Sequence, residues 1–241
     1  MTTRIAMWSG PRNISTAMMR SWENRPDCNV VDEPFYACYL YETGLTHPCR
    51  EAILETMSHS REAVIKQLQN SDPGCELQYQ KHMTHHMPKG TDLTWSKDFQ
   101  HCFLIREPAS VIASYLNKMP SVESDDIGIE RQLELFTQLT EITGRMPLVI
   151  DSNDVLKNPQ LLLAKLCDKI GIPRFADHMF AWPPGRRPSD GVWASHWYQS
   201  VEQSTGFAPF QQREISLEGE HDALAKRLDH CYRQLAEHAF S

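Results

Sequence analysis

The sequence predicts a three-layer α/β fold, with a central parallel sheet flanked by helices on both faces. Two observations carry that expectation. Short strand-like runs alternate along the chain with segments of helical period, the pattern of βα units. The polar and cationic residues cluster in the turns just after those runs, where a parallel sheet gathers the carboxyl ends of its strands.

The elements follow in order. Arg4–Trp8 reads as a strand that ends at Ser9-Gly10-Pro11. A helix is expected from about Ile14 to Glu23, because Ile14, Met18 and Trp22 recur four apart on one face. Asn29-Val30-Val31 is a second strand, closed by Asp32-Glu33-Pro34, and residues 50–70 are helical in pattern. Glu76–Lys81 and His101–Ile105 read as strands. Pro108 suits a first helical turn, where its missing N–H costs nothing, and Val111, Ile112, Tyr115 and Leu116 form the apolar face that follows. Ile129–Thr143 is a helix, Pro147–Ile150 a buried strand, and Asn158–Ile170 a helix stopped by Gly171 and Pro173. Residues 181–206 turn rich in Trp, Pro and Gly and read as a long loop that covers a ligand. A last helix is expected over residues 222–238.

The 241 residues, 41% hydrophobic and 23% charged, fit one domain spanning 1–241 with a core of its own. A net charge of −7 argues against a nucleic-acid or membrane-surface binder, either of which needs a basic face. It leaves room for a small anion held by a few arginines. The seven cysteines are odd in number and scattered, with no C-x-x-C pair, which points to a reducing compartment. No charged-then-apolar leader precedes the first strand and no apolar run nears the roughly 18 residues of a membrane span. The expected location is the cytoplasm, and a homodimer is compatible with the sequence.

Three motifs bear chemistry. Pro11-Arg12-Asn13-Ile14-Ser15-Thr16 lies between the first strand and the first helix. Unpaired N–H groups and the helix dipole suit such a turn to phosphate or sulfate, and Arg12 adds a forked cation. The same residues would also serve as an ordinary capped turn. It is not a Walker A loop, since no Gly-Lys-Ser/Thr is present. Arg106 closes a strand, and Ser114 follows in the next helix; together they could grip one phosphate, or separately serve as surface residues. Arg186-Arg187-Pro188-Ser189-Asp190-Gly191-Val192-Trp193 reads either as an anion-binding flap or as a solvated basic turn.

Taken together, the three motifs resemble the sulfotransferase family that uses 3′-phosphoadenosine-5′-phosphosulfate (PAPS) and releases PAP. The first is similar to that family's P-K-x-G-T-T loop around the 5′-phosphosulfate. Arg106 and Ser114 match its Arg and Ser, eight residues apart, which hold the 3′-phosphate. The third is similar to R-K-G-x-x-G-x-W, whose basic residues close on that same phosphate, although Pro188 cannot donate an N–H. Residues 151–159 resemble its Y-E-D-L…N-P stretch. The resemblance implies a P-loop-like sulfotransferase fold, PAPS as cosubstrate, no metal, and a small-molecule acceptor with a hydroxyl or amine.

It also implies a histidine general base, from a K-T-H-L-P motif. The corresponding stretch is Lys81-His82-Met83-Thr84-His85-His86-Met87-Pro88, in which Met83 stands where the family has His. His85 is favoured, with His86 and then His82 behind it, and Lys81 and Arg12 complete the expected catalytic set. Clustering of the three histidines also raises a metal reading, for which no Cys or acidic residue stands at zinc spacing. Glu33, at another strand end, is expected either to touch the acceptor or orient a histidine, or to serve as an ordinary turn residue before Pro34. Two rivals stay open: a kinase or NTPase, and a PAP- or PAPS-binding module without catalysis.

Overall fold

The structure, a computed structural model, describes residues 2–212 and 214–241. Met1 and Arg213, which the single-domain reading takes in, lie outside them. Five strands form one sheet: β1 (Thr3–Ser9), β2 (Cys28–Asp32), β3 (Leu77–Met83), β4 (Gln100–Ile105) and β5 (Leu148–Asp151). Their order is β2-β3-β1-β4-β5, and every neighbouring pair is parallel. β1 therefore sits between β3 and β4, with Met7 paired to Lys81 on one side and to Cys102 on the other.

Alternation along the strands builds the three layers. Ile5, Met7, Val30, Tyr79, Leu104 and Ile150 face one side. They meet α1 (Ser15–Glu23), α2 (Tyr36–Thr43) and α3 (Arg50–Thr56) there. Ala6, Trp8, Phe103, Ile105 and Val149 face the other, against α4 (Arg61–Asn70), α5 (Pro108–Leu116) and, past the four-residue α6 (Ser124–Ile127), α7 (Ile129–Thr143). The chain then runs through α8 (Ser152–Lys157) and α9 (Pro159–Ile170), which pack on the first face with the short α10 (Ala176–Met179). Two further turns, α11 (Ala194–Trp197) and α12 (Gln199–Glu202), precede α13 (Gly219–Ala236), which returns to the second face.

Three sequence expectations are corrected. Residues 50–70 form two helices, because Ser60 caps a new start by accepting the Ala63 N–H at 3.3 Å. The 181–206 stretch is not all loop but holds α11 and α12. β3 runs on to Met83, which places His82 inside a strand rather than after one.

Candidate active site

The order of the sheet sends the chain from β1 outward on both sides, and a cleft opens where the ends of β1, β3 and β4 meet, the usual ligand crevice of such sheets. A cavity of about 320 Å³ occupies it. Pro11, Arg12, Asn13, Ile14, Ser15 and Thr16 all line this cavity, as do Glu33, Lys81, His85, His86, Arg106 and Ser114. His82, Arg186 and Arg187 do not.

The turn after β1 has an unusual backbone. Arg12 (φ 56°) and Ile14 (φ 47°) are both left-handed, a form that costs about 1–3 kcal/mol per residue away from glycine. Such alternation gathers backbone N–H groups into an anion-binding concavity. It ends at Ser15, where α1 begins without a side-chain cap. Gly10 is required just before it, because a Cβ there would stand 2.6 Å from the Ile127 carbonyl oxygen.

Neighbouring side chains hold the strained turn in place. Arg106 Nη1 donates to the Arg12 carbonyl at 2.6 Å, and Asn13 Nδ2 donates to the Leu104 carbonyl at 2.5 Å. Gln132 of α7 donates to the Trp8 and Leu104 carbonyls, tying the ends of β1 and β4 together. Arg12 Nε donates to Ser114 Oγ at 3.0 Å, so the first two motifs touch. Arg12 forms no ion pair with a carboxylate among the described residues, and burial alone pulls its guanidinium below its ordinary value. Asn13 Oδ1 is buried with no partner.

Across the cleft lies a buried charged cluster. Lys81 Nζ donates to Asp32 Oδ1 at 3.0 Å, Glu33 Oε1 at 2.7 Å and the Tyr198 hydroxyl at 2.5 Å. Burial works against the Lys81 charge, yet the two carboxylates outweigh it and hold the ammonium above its ordinary value. Burial pushes the Glu33 carboxyl up, against the pull of Lys81. Glu33 Oε2 is left facing His86 Nε2 at 4.0 Å. Glu33 is itself left-handed (φ 44°).

The three sequence-predicted histidines part company. His82 lies on the opposite side of β3 from Lys81, stacked on Trp8 at 4.4 Å, with Nε2 3.0 Å from Gln80 Oε1. His86 stacks between Tyr36 (4.6 Å) and Tyr39 (4.9 Å), and His85 meets Tyr39 edge-on at 5.4 Å. Burial lowers His82 and His85 to about 3 and His86 well below its ordinary value, so all three are neutral near pH 7. Among the described residues no group of three or more His, Cys, Asp or Glu is arranged to hold a metal ion.

The double-arginine loop is fastened elsewhere. Asp190 Oδ2 binds Arg20 Nη2 at 2.6 Å and accepts the Arg187 N–H at 2.8 Å, while Ser189 donates to Glu23. Arg187 Nη2 donates to the Pro183 carbonyl and Arg186 is exposed. Arg20 and Glu23 stand at the far end of α1 from the anion turn, which keeps both loop arginines off the cavity. The stretch after β5 is likewise architectural: Asp151 and Asn158 cap α8 and α9. Sequence reasoning missed Tyr39, His47 and Asp126, which line the cavity.

Comparison with known proteins adds three findings. The family described as "Sulfotransferase domain" matches residues 3–228. Two Arabidopsis thaliana proteins, branched-chain-amino-acid aminotransferase-like proteins 1 and 2, are 33% and 32% identical over 234 and 208 residues, or 97% and 86% of this chain. The chain spans only 42% and 37% of those relatives, so their name describes proteins more than twice as long. Among solved structures, the sulfotransferase domain from the curacin biosynthetic pathway aligns with a TM-score of 0.57 at 15% identity, covering 95% of this chain and 98% of that one. A sulfotransferase from Alicyclobacillus acidocaldarius gives 0.57 at 12% identity, covering 78% and 87%. At these identities the likeness speaks for the fold alone.

Proposed function

This chain belongs to the sulfotransferase domain family, and from that premise we propose that it binds PAPS and catalyses sulfuryl transfer to a hydroxyl or amine of a small-molecule acceptor. The observation that carries the reading is Arg12. A half-buried guanidinium with no carboxylate partner among the described residues, set in a strained left-handed turn of the kind that gathers backbone N–H groups, is suited to meet an anion. The residues present fit such a ligand.

When bound, PAPS supplies an activated sulfuryl group and leaves as PAP. Residues 11–16 hold its 5′ end, those after Pro11 through backbone N–H groups, with Arg12 neutralising charge on the transferring oxygens. Arg106 and Ser114 take the 3′-phosphate; no part is assigned to Arg186 or Arg187. His86 accepts the proton of the acceptor hydroxyl at Nε2, the nitrogen turned toward Glu33, whose carboxylate stabilises the imidazolium formed. Its neutral resting state suits a base. Lys81, committed to Asp32 and Glu33, orients the carboxylate rather than the sulfuryl group.

The test is transfer of labelled sulfuryl from PAPS to a panel of small alcohols, phenols and amines. Labelled product supports the reading. PAP binding without transfer to any acceptor would leave a non-catalytic nucleotide-binding module instead.

A further inference from the structure

We propose that the acceptor half of the cavity is an ammonium-binding subsite, in which Asp126 pairs with a cationic nitrogen on the acceptor while the rings of Tyr39 and Tyr115 pack around it. This deepens the sulfotransferase reading and rests on it for the word acceptor.

Charge of both signs lines the cavity. Arg12 and Arg106 stand on the side of the anion turn, and the one other lining cation among the described residues, Lys81, is spent on two carboxylates. Asp126 lines the same cavity from α6, whose next residues pack against Gly10 on one side and against Thr84 and His85 on the other. Burial raises the Tyr39 and Tyr115 phenols and the Asp126 charge adds to it, while that charge opposes the effect of burial on His47. One Asp126 oxygen accepts the Glu123 N–H at 2.8 Å, which fixes the carboxylate against the cavity wall.

The remaining wall is aromatic. Tyr39 contacts His86 at 4.9 Å, His85 at 5.4 Å and His47 at 5.8 Å between ring centres. These imidazoles are neutral, so they add no competing cation, and the Nδ1 atoms of His85 and His86 are buried with no partner. Aromatic faces beside a single carboxylate recognise an ammonium by cation–π attraction and by a charge-assisted hydrogen bond. An anionic acceptor would meet Asp126 with like charge, and a wholly neutral one would leave it half-buried without a counter-charge.

Three probes of one shape test the assignment by calorimetry on the PAP-saturated protein: tyramine (cationic), 4-ethylphenol (neutral) and 3-(4-hydroxyphenyl)propionate (anionic). Tyramine is expected to bind at least about tenfold more tightly than either of the others. Asp126→Asn, which keeps an oxygen for the Glu123 N–H, is expected to erase that preference while 4-ethylphenol binding stays unchanged. Equal affinities, no tyramine binding, or a preference for the anion overturns the proposal, and the wild-type series decides it even if the variant folds poorly. The same series without PAP reads this subsite alone. Loss of PAP binding or of sulfuryl transfer then counts against the sulfotransferase reading, separately from the ammonium site.

Discussion

At the scale of single residues, the site divides its work between groups that touch ligand and groups that aim them. His86 and His85 are adjacent in sequence and both line the cavity, but only His86 stands opposite a carboxylate. His86→Ala is expected to lower kcat by about 10²–10⁴-fold while PAP affinity stays within about twofold. His85→Ala is expected to retain most of kcat. A full loss in His85→Ala with activity kept in His86→Ala would move the base by one residue. The sequence favours His85, with His86 and then His82 behind it; of the three only His82 is turned away from the cavity, and for a physical reason. A strand two residues longer than its apolar pattern suggested put His82 out of phase with Lys81, and period-two alternation then sends the two side chains to opposite faces. Glu33 was visible from its place at a strand end. Its tie to His86 was not, because the partners are brought together by β2 and β3 and not by spacing.

At the scale of elements, the segment over the cleft hangs on one phenol. Tyr198 follows α11, donates to Asp32 Oδ2 at 2.8 Å, and receives hydrogen bonds from Lys81 and from Trp193 Nε1 at 3.1 Å. Trp197, Ser200 and Val201 on either side of it form one wall of the cavity. Tyr198→Phe removes those bonds with little change of shape, so a loss of about 1–2 kcal/mol is expected, lowering Tm by roughly 2–8 °C. Acceptor KM should rise more than the Kd for PAP, since the segment contains none of residues 11–16, Arg106 or Ser114; equal loss of both would mean a general loosening of the fold. The strongly periodic elements were legible: Ile129–Thr143 and the Pro-started α5 occur where their apolar stripes placed them. Tyr36–Thr43 was not, because three tyrosines and a cysteine make a weak helical pattern and no capping side chain announces its start. That helix supplies Tyr36 and Tyr39, so the acceptor wall was hidden with it.

At the scale of the molecule, β1 and α13 share one apolar layer, which ties the two ends of the described chain into a common core. We propose on that ground that the chain unfolds as one cooperative unit. Its pH dependence follows from buried neutral histidines. His82 and His85 sit at about 3, His101 at about 4, and His86 well below the ordinary value, all through burial first. Each is depressed in the folded state, so between about pH 4 and pH 6.5 the unfolded chain binds more protons and stability falls as pH drops. Glu33 and Asp151, both raised by burial, oppose this in part. The expected outcome is a single urea transition whose midpoint declines steadily below about pH 6.5. Two separate transitions would refute the one-unit view, and a midpoint flat down to pH 4 would refute the assignment of neutral histidines. The parallel order of the sheet was expected from βα alternation, whereas the removal of Arg186 and Arg187 from the cleft depends on Asp190 meeting Arg20, a contact 170 positions apart that no local pattern announces.

The central claim is that the turn after β1, with Arg106 and Ser114, holds a 3′-phosphoadenosine nucleotide. Calorimetric titration with PAP, beside ATP with Mg²⁺, tests it most directly, on the wild type and on Arg106→Ala. Tight PAP binding is expected, with little affinity for ATP and a loss of about 1.5–3 kcal/mol in PAP affinity for Arg106→Ala. Absence of PAP binding with ATP bound in its place would contradict it and turn the site toward a nucleotide kinase.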